Sequence, residues 1–179
     1  MNFIYQFYLN SKFVIGDVHG CIKSLKALIC KLPDDADIVF VGDLIDRGNS
    51  SKDVIEFVKS NNYACVLGNH ELFMIQLENQ LLDISNNLEH EQLQKWLFKN
   101  YGKPTLINYQ SDKDMLVSHI KWLKTLPLYL EFKNIKDENN RYLVVSHSHV
   151  FNTWEYKDYN KKSSEFNEFK KCILNSRFK

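Results

Sequence analysis

Asp37-Ile38-Val39-Phe40-Val41-Gly42-Asp43-Leu44-Ile45-Asp46-Arg47-Gly48 decides how this chain is read. The β-branched and aromatic run Asp37–Val41 reads as a strand, and Gly42 ends it just ahead of two carboxylates and an arginine. The same design stands on either side. Upstream, Lys12-Phe13-Val14-Ile15 runs into Gly16-Asp17-Val18-His19-Gly20; downstream, Tyr63-Ala64-Cys65-Val66-Leu67 runs into Gly68-Asn69-His70-Glu71. Asp17, Asp43 and Asn69 are evenly spaced, 26 residues apart. Each interval holds a helix: Ile22, Leu25, Leu28, Ile29 and Leu32 recur at helical spacing after Gly20, as do Val54, Ile55 and Val58 after Ser51. Strand, crossover helix and strand make a parallel sheet. Parallel strands end on one edge, where open α/β sheets hold their ligands. Three oxygen ligands and two imidazoles are thereby brought together, which is the make-up of a metal site.

The ligand types define the chemistry. Asp17, His19 and Asp43 offer one divalent ion two carboxylates and an imidazole, and Asp43 is placed to bridge to a second ion beside Asn69. Carboxylate, imidazole and amide without thiolate favour manganese, iron or zinc. Two ions about 3.5–4 Å apart lower the pKa of a bound water and clamp the attacking and leaving oxygens of an in-line displacement. Arg47, on the same loop as Asp43, offers a bidentate fork to phosphate oxygens. His70 is placed to protonate a leaving alkoxide, with Asp46 as the carboxylate that orients it. Singly, Asp46-Arg47-Gly48 reads as a turn with a solvated charge pair, Asn69-His70-Glu71 as a helix cap, and His19 as a satisfied histidine. Their shared place at the ends of parallel strands decides for the site.

These motifs resemble those of the calcineurin-like metallophosphoesterases, and within them the phosphoprotein phosphatase branch that includes bacterial and phage lambda-type serine/threonine phosphatases. Trp96–Tyr109 is similar to a family segment with Trp, Asn-Gly-Gly and Thr-Leu, and has Tyr101 where a glycine is usual. Tyr142–His147 looks like the strand that ends in a fourth metal ligand. Ser146-His147-Ser148-His149 offers two imidazoles on one strand face, and the resemblance favours His147. Ile173-Leu174-Asn175-Ser176-Arg177 is similar to the family's Leu-Trp-x-Arg, with Asn175 in place of the tryptophan.

The resemblance implies an α/β fold: a metallophosphoesterase-type β-sandwich core flanked by helices, with a helical insertion near residues 83–128. It implies two divalent ions, manganese first and iron or zinc as alternatives. One is held by Asp17, His19 and Asp43, the other by Asp43, Asn69 and His147. Arg47, Asn69 and Arg177 bind the phosphate, and His70, Asp46 and Arg47 are the catalytic residues. The activity implied is phosphomonoester hydrolysis by a metal-activated water. Glu71 points to a serine/threonine protein phosphatase acting on a phosphoprotein or phosphopeptide, because the related symmetrical diadenosine tetraphosphatases commonly have Asp there. The alternatives are such a tetraphosphate hydrolase, or a catalytically impaired remnant that binds phosphate. The remnant reading arises because relatives carry a last metal-binding histidine in a Gly-His-Thr-like motif after Leu-Trp-x-Arg. Here the sequence stops at Lys179, two residues past Arg177, with no glycine after Gly102. The expectation is a single domain over residues 1–179, shortened at its C-terminal end.

The rest of the chain fits this picture. At 179 residues, one domain is expected. A net charge of +1 gives no electrostatic drive toward nucleic acid or membrane. Cys21, Cys30, Cys65 and Cys172 form no C-x-x-C pair and read as free thiols of a cytoplasmic protein. Met1–Asn10 alternates Phe3, Tyr5, Phe7 and Leu9, lacks the marks of a signal peptide, and reads as an edge strand or packed arm. No apolar run nears the roughly 20 residues that span a bilayer. A helix is expected over Phe73–Leu82. The insertion has helical pattern near Glu89–Phe98 and His119–Leu126, and is expected to sit over the strand ends and shape the substrate cleft. A turn at Asp137–Asn140 joins strands Leu128–Phe132 and Arg141–Val145. A polar loop over 157–165 precedes a helix near Glu165–Ile173. His90 and His119 are expected at the surface.

Overall fold

Val39 and Phe40, both without solvent exposure, form the centre of a parallel sheet. The structure, a computed structural model, describes residues 12–176. Arg177 and Met1–Asn10 therefore lie outside the described residues. Strand β1 (Lys12–Ile15) pairs in parallel with β2 (Asp37–Phe40), Lys12 opposite Asp37 and Ile15 opposite Phe40. Helix α1 (Ile22–Ile29) forms that crossover, and α2 (Ser51–Ser60) forms the next, to β3 (Ala64–Cys65). The sheet order is β1-β2-β3, so the buried strand lies between the other two. The expected third strand, Tyr63–Leu67, is shorter than its apolar run. Val66 N–H still reaches Phe40 O at 3.0 Å, but Leu67 N–H turns to Pro127 O at 2.8 Å, which draws the chain off the ladder.

Helix α3 (Asn69–Gln76) starts directly after Gly68. The single helix expected to run on to Leu82 is broken: Leu77 leaves helical geometry at φ −94°, ψ 9°, buries its side chain, and α4 (Glu78–Leu82) starts afresh. The insertion then supplies α5 (Ile84–Asn87), α6 (Glu91–Lys99), α7 (Lys103–Tyr109) and α8 (Lys113–Leu123). Helix α7 carries Pro104 in its first turn, where a missing N–H costs nothing. Helix α8 begins earlier than its periodicity implies because the Asp112 carboxylate accepts Met115 N–H at 3.2 Å. Leu93, Trp96, Ile120 and Leu123 of these helices join Ile38, Phe40, Val54, Ile55 and Val58 in one core. Each such side chain contributes about 1.5–3 kcal/mol by its burial.

Strands β4 (Tyr129–Lys136) and β5 (Tyr142–Ser146) form the expected antiparallel hairpin, with a register irregularity between Phe132 and Lys136. A 3₁₀ segment, Phe151–Asp158, precedes helix α9 (Ser164–Asn175), whose Ser163 hydroxyl accepts Phe166 N–H at 3.1 Å. Phe169, Ile173 and Leu174 pack α9 into a second core with Leu67, Leu128, Tyr129 and Trp154. That core carries the end of α9 to the edge where the parallel strands finish.

His119 corrects an expectation. It is fully buried, with Nδ1 2.7 Å from the Tyr109 hydroxyl and Nε2 2.9 Å from Glu56 Oε2. The charge-rich sequence around it lies on the outer face of α8, and His119 points inward between α2 and α7. His90 is half-buried.

Candidate metal centre and active site

The three motif loops interlock through their backbones. Val18 and His19 N–H both donate to Asp43 O at 3.0 and 2.9 Å, Gly20 N–H to Leu44 O at 2.8 Å, and Gly48 N–H to His19 O at 3.0 Å. A Cβ on Gly48 would fall on His19 O, and one on Gly68 would fall on Asp43 N, closer than real Cβ atoms approach. The motif glycines are what let these loops touch. His19, Asp43, Asp46 and Arg47 all take positive φ, between 47° and 70°. Conformations so costly for residues with side chains collect where a site over-determines them.

Asp17, His19, Asp43, Asn69, His70 and His147 come together at the strand ends. Asp43 belongs to two groups of candidate ligands, one with His19 and His70, the other with Asp17 and His147; within each, ligand atoms lie within 4.8 Å of one another. His19 Nε2 is 3.6 Å from Asp17 Oδ2 and 3.8 Å from Asp43 Oδ2. His147 Nε2 is 2.9 Å from Asn69 Oδ1 and 3.6 Å from Asp43 Oδ1.

The tautomers decide whether these residues fit a metal. His19 Nδ1 lies 2.8 Å from Ile45 O, and His147 Nδ1 lies 2.9 Å from Val41 O. A carbonyl oxygen only accepts, so both rings carry a proton on Nδ1, and His19 turns its Nε2 lone pair inward. His19 Nε2 is buried without any hydrogen-bond partner. A lone pair facing two carboxylate oxygens beyond hydrogen-bond range is repulsive unless a cation lies between them. Separations of 3.6–3.8 Å suit ligand atoms that each sit about 2.0–2.2 Å from one ion. The residues fit divalent metal.

Beside this centre, His70 Nδ1 lies 2.7 Å from Asp46 Oδ2, and its Nε2 is 3.8 Å from Asp43 Oδ2. Burial pushes the His70 imidazole down, but the Asp46 hydrogen bond and the charges of Asp43, Asp46 and Glu71 outweigh it and hold it above its ordinary value. Arg47 is exposed, and its guanidinium has no ion pair or hydrogen bond among the described residues. A cleft of about 210 Å³ is lined by Asp17, Asp43, Arg47, Asn69, His147, Ser148, Leu174, Asn175 and Ser176. No residue of 83–128 lines it. The insertion packs beside α2 and α3 instead, and the end of α9 forms the cleft wall. His149 is exposed, its Nδ1 accepts Phe151 N–H at 2.8 Å, and it belongs to neither candidate ligand group.

Glu71 corrects the reading placed on it. It is fully buried, and its carboxylate accepts four backbone N–H groups, those of Asp43, Leu44, Ile45 and Gly68. Burial, and next the Asp43 charge, push this carboxyl upward, against the pull of the backbone donors. A side chain so enclosed does not touch substrate, so Glu or Asp there reads no substrate class.

At the ends of its parallel strands the α/β fold thus gathers two carboxylate–imidazole groups that could each hold a metal ion. The chain belongs to the calcineurin-like phosphoesterase family, which it matches over residues 13–175. It is 31% identical over 155 residues to a symmetrical bis(5'-nucleosyl)-tetraphosphatase of Buchnera aphidicola, covering 81% of this chain and 46% of that protein. A symmetrical bis(5'-nucleosyl)-tetraphosphatase of Salmonella paratyphi C is 32% identical over 148 residues, covering 80% and 44%. The chain thus spans less than half the length of these relatives. Among solved structures, a protein provisionally named a diadenosine tetraphosphatase superposes with a TM-score of 0.51 at 20% identity, covering 80% of this chain and 52% of its own; this likeness concerns the fold. The expectation of a phosphoprotein or phosphopeptide substrate is overturned by these names: the relatives act on a small nucleotide. That expectation rested on Glu71, whose burial removes its physical basis.

Proposed function

We propose that this chain carries the hydrolytic centre of a symmetrical dinucleoside tetraphosphatase. The reading rests above all on the two relatives of that name, at 31% and 32% identity. In this reaction water adds across the central P–O–P bridge of the substrate and yields two nucleoside diphosphates. The substrate is a polyanion, and Arg47 presents an unpaired cation to the cleft that receives it.

Asp17, His19 and Asp43 would hold one divalent ion, and Asp43, Asn69 and His147 a second. Manganese is the first choice by donor type, with iron and zinc as alternatives. Ions held there supply charge neutralisation and an activated water nucleophile. The chain's own residues do the rest. The Arg47 fork binds and orients phosphate oxygens. Asn69 lies beside it in the cleft, and Arg177, outside the described residues, is a further candidate for the phosphate. Asp46 holds the Nδ1 proton of His70, so His70 Nε2 is the atom that gives a proton to the leaving oxygen. We infer a cytoplasmic setting, supported by four free cysteines of which Cys21 and Cys30 are exposed. No helix among the described residues is long and apolar enough to cross a membrane.

Incubating the protein and manganese with diadenosine tetraphosphate, or with a phosphoserine peptide, and separating the products tests this reading. ADP as the sole nucleotide product, with the peptide untouched, is expected. Formation of ATP and AMP, release of phosphate from the peptide alone, or hydrolysis of neither would each overturn it.

A further inference from the structure

Asp46 is held by residues far from it in sequence. Its carboxylate has no solvent exposure and accepts three donors: Thr105 Oγ1 at 2.7 Å on Oδ1, and Trp96 Nε1 at 2.8 Å and His70 Nδ1 at 2.7 Å on Oδ2. Thr105 has one hydroxyl proton and gives it to Asp46. Its oxygen must then accept from Ser51 Oγ at 2.9 Å, and it accepts Asp46 N–H at 2.9 Å as well. Ser51 Oγ takes a share of the same N–H at 3.1 Å. Every polar atom of the cluster is satisfied, with each donor direction forced by the one before it.

The same helical segment grips the loop after Asp46 at three more points. Arg47 N–H donates to Tyr101 O at 3.0 Å, Asn108 Nδ2 donates to Asn49 O at 2.9 Å, and Lys52 N–H reaches Asn108 Oδ1 at 3.4 Å. Tyr101 keeps a φ of 60° to make its contact, although a glycine would adopt that conformation without cost. Residues 96–108 thus hold Asp46–Lys52 without lining the cleft themselves.

We infer that Thr105 and Trp96 are positioning residues that fix Asp46, and through it the ring orientation and Nδ1–H tautomer of His70. Segment 83–128 acts on catalysis from beneath the site, by holding the proton donor in register, and not by lining the cleft. The catalytic part of this inference rests on the proposed hydrolytic function; the positioning part stands on the contacts alone.

Thr105→Val keeps the shape of the side chain but removes the hydroxyl, and Thr105→Ser restores it. Two readouts separate the two parts. The first is the nitrogen-15 spectrum of the His70 ring without substrate, at a pH high enough to leave the ring neutral: one Nδ1–H tautomer is expected in the wild type and in Thr105→Ser, and a mixture in Thr105→Val. The second is turnover of phenyl phosphate and 4-nitrophenyl phosphate with manganese. Phenolate is the more basic leaving group, so its release needs the proton more. Thr105→Val should slow phenyl phosphate roughly tenfold, a fraction of the 10²–10⁴ supplied by general acids, with a much smaller effect on 4-nitrophenyl phosphate and unchanged KM. Trp96→Phe, which removes the indole donor together with some ring volume, should act in the same direction and covers the case in which Thr105→Val does not fold. A single unchanged tautomer in the variants, or equal slowing of both esters, overturns the inference. Failure of the wild type to cleave diadenosine tetraphosphate would overturn the proposed function, while the spectra would still decide the positioning.

Discussion

Glu71 Oε2 accepts the backbone N–H of Asp43 at 2.8 Å, across 28 residues of sequence and without solvent contact. The residue shared by both candidate metal groups is therefore held at its backbone by a buried carboxylate on α3. The same carboxylate takes Gly68 N–H at 3.1 Å, so one side chain joins the second and third motif loops.

Glu71→Ala should be among the most damaging single changes in the chain. It strips the acceptor from four buried N–H groups, and each unsatisfied buried donor costs about 1–3 kcal/mol. Thermal unfolding should show a loss of at least about 3 kcal/mol even if water partly fills the space. Glu71→Asp should lower stability less and leave the preference among phosphate substrates unchanged. A switch of substrate class in that variant would return Glu71 to the substrate-reading role.

Asp43→Asn should weaken both metal positions together, since Asp43 belongs to both groups, whereas His147→Ala should weaken one. Loss even of an outer partner costs about 10–100-fold in metal affinity, so loss of the shared carboxylate should cost at least that at each position. Manganese titration by calorimetry on protein stripped with a chelator measures this. Loss of a single binding event in Asp43→Asn would show that Asp43 is not shared.

His70→Asn removes the candidate proton donor and leaves the proposed metal ligands in place. Turnover of phenyl phosphate should fall by about 10²–10⁴, and that of 4-nitrophenyl phosphate much less, at unchanged metal content. Arg47→Ala should raise KM for both esters alike, because it removes a phosphate contact and not a proton. Equal slowing of the two esters in His70→Asn would show that His70 does not act on the leaving group.

His119 should make stability fall on the acid side. Burial holds its imidazole below the ordinary value, against the pull of the Glu56 hydrogen bond, so the fold prefers the neutral ring. The unfolded chain binds the proton with a pKa of about 6.5, so the stabilisation is complete above that pH and is lost as pH falls from there through the lower folded value. Melting temperatures followed from about pH 7.5 to 5 should decline less steeply in His119→Gln than in the wild type. Parallel profiles would show that the ring does not titrate in that window.

The sequence by itself determined the parallel sheet and the place where Asp17, His19, Asp43, Asn69 and His70 meet. Strand and crossover-helix patterns are local, and a parallel topology sends every strand end to one edge whatever packs around it. Asp46 beside His70 was legible for the same reason, and so was His147 at the end of β5 from its resemblance. The tertiary structure alone decided which way the remaining side chains face. Glu71 turns into the backbone, His119 turns into the core, and Trp96 and Thr105 turn under Asp46, although the sequence around them reads as polar helix. Burial of a helical position depends on which neighbour its helix meets, and that meeting joins residues 59 to 63 positions apart, as between Thr105 and Asp46 or His119 and Glu56. The cleft wall followed the same rule: the aromatic core around Phe169 carried Asn175 and Ser176 to the candidate metal ligands, and the helical insertion stayed out of the cleft lining.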